Sequence, residues 1–216
     1  MPPWFDEEVA TLEQRSRTRR GADRLVVFYG SSSFTLWSGI GDAFPEHEVV
    51  NLGFGGSTLA DCLEYFDRLV VPLAPKVLVV YAGDNDLDNG ASPEAVRATL
   101  AAMIERKRET LPAVPMAFVS IKVSPARFRF MHCIAYTNLI LERLVAPMPD
   151  VTFVDVTRRM IGRGIEPLRC CFSEDPLHMN RQGYRIWTKA LTEYLDSIER
   201  QVGPLRHDSD GMIAPA

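Results

Sequence analysis

The chain has 216 residues, 46% apolar and 24% charged, with 14 glycines and 15 prolines, which is the composition of a folded globular protein and not of a disordered or fibrous one. Its length suits a single core, and its longest apolar runs, such as Val77 to Ala82, are about a third of the roughly 20 residues a membrane helix needs. A net charge of -4 and an isoelectric point near 5.6 give no sequence-wide attraction for nucleic acid or anionic lipid.

The first twenty residues read as an amino-terminal helical extension with Phe5, Val9 and Leu12 on one side. Asp6, Glu7 and Glu8 stand where a secretory leader would be basic, no apolar stretch follows, and Asp23 and Arg24 interrupt what comes after Arg19-Arg20, so a cytoplasmic chain is expected. Arg15, Arg17, Arg19 and Arg20 read as the solvated end of this helix, placed near its negative dipole terminus. Intramolecular packing, ahead of self-association, is the expected role of the extension.

Five short apolar runs follow: Leu25 to Tyr29, Glu48 to Leu52, Val77 to Ala82, Met116 to Ile121 and Thr152 to Val156. Most are β-branched and nearly continuous, as strands covered on both faces are, which predicts a parallel sheet. Between them the apolar side chains recur at three- and four-residue intervals: Leu59, Cys62, Leu63, Phe66 and Val70; Val96, Leu100, Met103 and Ile104; Ile134, Thr137, Leu141, Leu144 and Val145. Each set predicts one helix with one buried stripe. Ser92-Pro93 predicts a capped helix start, and Asn180 predicts the cap of a last helix burying Tyr184, Trp187, Leu191, Leu195 and Ile198. With no internal repeat or linker, the alternation predicts an α/β chain folded as a three-layer α/β/α sandwich with a doubly wound sheet. Residues 203–216 read as a flexible tail.

Ligands of such sheets sit at the carboxyl ends of the strands, so the residues just after each run matter most. After the first comes Gly30-Ser31-Ser32-Ser33, where a tight turn into a helix can present a serine hydroxyl to helix amides. After the second comes Gly53-Phe54-Gly55-Gly56-Ser57-Thr58, whose glycine amides are unshielded and suit a developing oxyanion. After the third comes Gly83-Asp84-Asn85-Asp86-Leu87-Asp88. Its alternating acids imitate a calcium loop, but Asn89 and Ala95 occupy the positions that need Gly and Glu, so no metal site is read here, while the Asn85 amide can donate hydrogen bonds. Before the last helix, Asp175 and His178 are three residues apart on one loop that can supply a base and the group that orients it. Any one of these segments alone has a plain structural explanation as a cap or a turn. Together, at positions where the sheet makes them converge, they supply nucleophile, base, orienter and oxyanion donors for acyl transfer. Cys62, Cys133, Cys170 and Cys171 lack the spacing of a zinc site or a disulfide framework and read as reduced thiols.

These four blocks, in order, resemble the SGNH hydrolases, also called GDSL esterases, over roughly Leu25 to Leu195. The resemblance puts the hydrolase domain at residues 21–202 and implies a flavodoxin-like five-stranded parallel sheet of order 2-1-3-4-5, with no metal and no cofactor. It makes Ser32 the nucleophile, with Ser31 and Ser33 as the neighbouring candidates, Asp175 and His178 the rest of a triad, and Ser32, Gly56 and Asn85 the oxyanion hole. Ser31 departs from the family, where many members have Asp. Similarity to platelet-activating-factor acetylhydrolase-like and sugar acetylesterase members implies a small, short-acyl ester, acetyl esters included, as the partner molecule. Two other readings compete: a flavin or phosphate binder of the same fold, using the hydroxyl-rich loop after the first strand, and a non-catalytic interaction domain. The aromatic residues Trp37 and Phe54 and the stretch Arg127 to His132 carry no site role in this reading.

Overall fold

A computed structural model describes residues 5–202; residues 1–4 and the expected tail at 203–216 lie outside the described part. Five strands, β1 (Leu25–Gly30), β2 (Glu48–Gly53), β3 (Val77–Tyr81), β4 (Met116–Val119) and β5 (Val151–Val154), form one parallel sheet in the order β2-β1-β3-β4-β5. The order is the one that the resemblance implies. Strand β1 is fully buried along its length, with Val27 paired to Val50 on one side and to Leu78 on the other.

Strand alternation splits the core in two. Val27, Tyr29, Leu78, Val80, Met116 and Phe118 face one layer of helices, while Val26, Phe28, Val79, Tyr81, Ala117 and Val119 face the other. The first layer holds α1 (Asp6–Ser16), α4 (Leu59–Glu64), α5 (Phe66–Leu69), α7 (Pro93–Thr110) and α8 (Met131–Val145). The second holds α2 (Ser32–Thr35), α3 (Ile40–Ala43) and α9 (Arg181–Val202). One further short helix, α6 (Asp84–Asp88), follows β3. Among the described residues no helix is long and apolar enough to cross a membrane.

The caps act where the sequence predicts them. Ser92 accepts the Ala95 amide ahead of α7, and Asn180 accepts the amides of Gln182 and Gly183 at the start of α9. The single helix expected over Leu59 to Val70 is instead two. Tyr65 sits at φ -88° and ψ 5°, outside helical geometry, so α4 stops there and α5 starts again, with Phe66, Leu69 and the following Val70 buried. The break also lets the Tyr65 hydroxyl reach Asp6 of α1. Helix α1 itself packs on the same molecule: Val9 is buried, Arg68 pairs with Glu13, and Phe5 meets Phe54 edge-on at 5.1 Å.

The turn out of β1 depends on Gly30, at φ +149°. A Cβ there would fall 1.9 Å from the Tyr81 carbonyl oxygen of the neighbouring strand. Gly30→Ala should therefore lower stability on the order of 3 kcal/mol or more, through backbone strain and overpacking together. Urea unfolding measures this, and an unchanged midpoint would contradict the close approach.

Candidate active site

Strand β1 lies between β2 and β3, and the loops leaving β1 and β3 part to opposite faces of the sheet, which opens a crevice at their carboxyl ends. Ser31 is extended (φ -92°, ψ -165°) and donates its amide to the Tyr81 carbonyl at 3.0 Å, while its own carbonyl accepts the amides of Phe34 and Thr35. This places Ser32 at the first position of α2, where its backbone N–H meets no acceptor among the described residues. The hydroxyl of Ser32 is 3.1 Å from Nε2 of His178. Ser31 and Ser33, the neighbouring candidates, are both buried, and the imidazole contacts neither.

His178 is carried on a loop closed by its own hydrogen bonds. Phe172 pairs with Met179, Ser173 N–H donates to the His178 carbonyl at 2.9 Å, and the Ser173 hydroxyl donates to the Asp175 carbonyl at 3.0 Å. Asn180 ties the base of the loop by donating to the carbonyls of Cys170 and Phe172, both at 2.8 Å. Within it, Asp175 Oδ2 contacts His178 Nδ1 and Asp175 Oδ1 accepts the Leu177 amide. That amide, and then the imidazole contact, hold the Asp175 carboxyl below the usual range and keep it charged. Asp175 is half-exposed, while the His178 side chain is largely covered.

The loop after β2 approaches from the other side. Gly56 has φ +79° and sits in open space, so the conformation and not crowding calls for glycine; its N–H has no acceptor among the described residues. Asn51 anchors this loop to α2, donating to the Phe34 carbonyl at 2.7 Å and accepting the Gly53 amide. Glu8 of α1 accepts the Gly55 amide. Thr58 and Asp61 then form a reciprocal capping box that starts α4.

The turn after β3 supplies Asn85. Its Nδ2 donates to the Ser57 carbonyl at 2.9 Å, which uses one of its two hydrogens, and its Oδ1 accepts Arg127 Nη2 at 2.9 Å. Arg127 also donates to the Asp84 carbonyl and pairs with Asp88 at 3.3 Å. Beneath the turn lies a buried trio: Lys122 Nζ is 2.9 Å from Asp84 Oδ2 and 3.1 Å from the Tyr81 hydroxyl. Burial alone would disfavour both charges, but Asp84 outweighs it at Lys122, and Lys122 and Arg127 outweigh it at Asp84, so both stay ionised. Burial, then the Asp84 charge, push the Tyr81 phenol up to about 12.

The structure joins Ser32, His178 and Asp175 by direct contacts and ties Asn85 to the glycine loop through the Ser57 carbonyl, next to Gly56, so the five candidate residues stand on segments that follow β1, β2 and β3 or precede α9. Trp37 and Phe54 are core residues. Sequence reasoning missed Arg127, which it left without a role and which is buried against Asn85. No spacing rule reaches it, because it lies on a 3-10 turn (Pro125–Phe130) 42 residues away. The same turn meets the histidine loop, where Ala126 N–H donates to the Pro176 carbonyl at 3.1 Å. Among the described residues no group of three or more His, Cys, Asp or Glu side chains is arranged to hold a metal ion.

Residues 21–186 match the sequence profile of the family described as GDSL-like Lipase/Acylhydrolase. No curated protein sequence matches the chain. Among solved structures, a Streptococcus pneumonia protein provisionally described as a platelet activating factor superposes with a TM-score of 0.77 at 20% identity, covering 89% of this chain and 94% of that one. A GDSL-like lipase from Bacteroides thetaiotaomicron gives 0.69 at 20% identity, over 90% and 96% of the two chains. The family 3 carbohydrate esterase of Clostridium thermocellum gives 0.68 at 16% identity, over 83% and 98%. At these identities the likenesses establish the fold.

Asp86 links two of the loops, its carboxylate accepting the Leu59 amide at the start of α4 at 2.9 Å. Burial pushes this carboxyl up to about 6, although the Leu59 amide favours its charged form. The proton is held more tightly in the folded chain than in the unfolded one, whose value is near 4, so this contribution to stability is complete below pH 4 and is lost as pH rises through about 6. Urea unfolding at pH 4 and pH 6.5 should show the parent chain losing roughly 2 to 3 kcal/mol relative to Asp86→Asn. A difference that stays constant with pH would refute the assignment.

Proposed function

The chain belongs to the GDSL-like lipase/acylhydrolase family and is a carboxylic ester hydrolase, and on that premise we propose that it cleaves small, short-acyl esters through an acyl-enzyme formed on Ser32. The observation that carries this reading is the 3.1 Å contact between the Ser32 hydroxyl and His178 Nε2, with Asp175 on the opposite ring nitrogen.

His178 accepts the hydroxyl proton as Ser32 Oγ attacks the ester carbonyl, and the Asp175 carboxylate holds the ring in the tautomer that makes this possible and stabilises its cationic form. Negative charge gathers on the former carbonyl oxygen, where the free amides of Ser32 and Gly56 and the second Asn85 hydrogen receive it. The imidazolium then protonates the departing alcohol. Water, deprotonated by the same imidazole, attacks the acyl-enzyme and releases the acid and the serine.

The preference for a short acyl group rests on the resemblance. A carbohydrate esterase and an acetyl esterase of the same fold fit the choice of an acetyl group on a polar alcohol. The competing flavin or phosphate reading leaves the Asp175–His178–Ser32 chain of contacts without a use.

Ser32→Ala should abolish hydrolysis of p-nitrophenyl acetate and labelling by a fluorophosphonate, with the thermal midpoint within about 2 °C of the parent because only an uncrowded hydroxyl is removed. Undiminished turnover would defeat the assignment. Asn85→Ala should lower kcat by about 100 to 1,000-fold. Across p-nitrophenyl esters of increasing length, kcat/KM should be greatest at the acetate; a maximum at long chains would overturn the short-acyl reading.

A further inference from the structure

We propose that Arg127 is the positioning residue of the oxyanion site, fixing the Asn85 side-chain amide with Nδ2 turned toward the reacting oxygen and polarising it for that task. The inference rests on the role given to Asn85 above.

A carboxamide can be turned end for end at little steric cost, and the two orientations are opposite in effect. One offers hydrogens to a developing oxyanion; the other points a lone pair at it. The two groups that grip Asn85 allow only the first. Guanidinium has N–H donors and no acceptor, so Arg127 Nη2, at 2.9 Å, can bond only to Oδ1. The Ser57 carbonyl has no hydrogen to give, so at 2.9 Å it can bond only to Nδ2. The flipped amide would face two repulsive contacts in place of two hydrogen bonds.

The grip is itself rigid. Arg127 is only 9% exposed, and its fork spans the Asp84 carbonyl, the Asn85 carboxamide and the Asp88 carboxylate, so three successive features of one turn are held by one planar group. Lys122 holds the same turn from beneath through Asp84. A positive charge on Oδ1 draws electron density from the amide nitrogen and strengthens its remaining N–H as a donor, in a covered setting where such polarisation counts for more than in water. Lysine, a point charge without the planar fork, cannot span all three acceptors.

The test is a double-mutant cycle on purified full-length chain with p-nitrophenyl acetate, comparing the parent, Arg127→Ala, Asn85→Ala and the double variant. Arg127→Ala is expected to lower kcat about tenfold or more with KM within about threefold, because the contribution is made in the transition state. In the Asn85→Ala background the same substitution should cost less than about threefold, since the amide it serves is gone. Arg127→Lys should recover thermal stability better than it recovers kcat. Equal cost of Arg127→Ala in both backgrounds would overturn the inference and leave the role of Asn85 standing. Full activity of Asn85→Ala would instead remove that role and the inference with it. If Arg127→Ala does not fold, the cycle run with Arg127→Lys and with Arg127→Gln is judged by the same comparison of backgrounds.

Discussion

The approach of β1 to β3 at their carboxyl ends governs the rest of the molecule. Gly30 lies against the Tyr81 carbonyl, and the Ser31 amide bonds to that same oxygen. A side chain at position 30 would push the strands apart at the point where one presents Ser32 and the other begins the turn bearing Asn85. The contact therefore sets the distance between the proposed nucleophile and an oxyanion donor. It also explains why the crevice lies here, because these are the adjacent strands whose connections leave on opposite faces of the sheet.

Around that fixed pair the loops are stiffened mainly by polar contacts. The histidine loop is closed by Ser173 and Asn180, the glycine loop by Asn51 and Glu8, and the Asn85 turn by Lys122, Arg127 and Asp86. Hydrogen bonds suit this purpose because they constrain direction as well as distance, which dispersion between apolar groups does not. The buried Lys122–Asp84 pair is costly to desolvate, so its value to the molecule lies in specifying the turn more than in net stability. Removing either partner alone would strand the other charge in the interior.

The charges about the site are also divided by environment. Asp175, half-exposed and bonded to the Leu177 amide, is held ionised, whereas Asp86, covered and less well compensated, is pushed up to about 6. Two carboxylates on neighbouring loops thus behave differently for identifiable reasons. One can serve as the permanent anion that orients an imidazole; the other works as a cap on α4 whether or not it carries a proton.

The amino-acid sequence by itself determined the five strands and the cap residues Ser92 and Asn180, and it marked the five candidate site residues, because each of these is a local property: β-branched runs prefer buried strands, small polar side chains satisfy the first amides of a helix, and ordered short motifs mark strand ends. The helix expected over Leu59 to Val70 failed for a non-local reason, since the break at Tyr65 answers to the packing of Phe66 beside Tyr29 and to the bond between Tyr65 and Asp6. Arg127 was illegible for the same reason. Its chemistry as a donor is written in its side chain, but the choice of the Asn85 carbonyl oxygen as acceptor depends on how a turn after β4 folds across the end of β3. Tertiary structure decided those pairings because side chains far apart in sequence share an environment only once the sheet has assembled, and the directionality of their hydrogen bonds has no imprint on residue spacing.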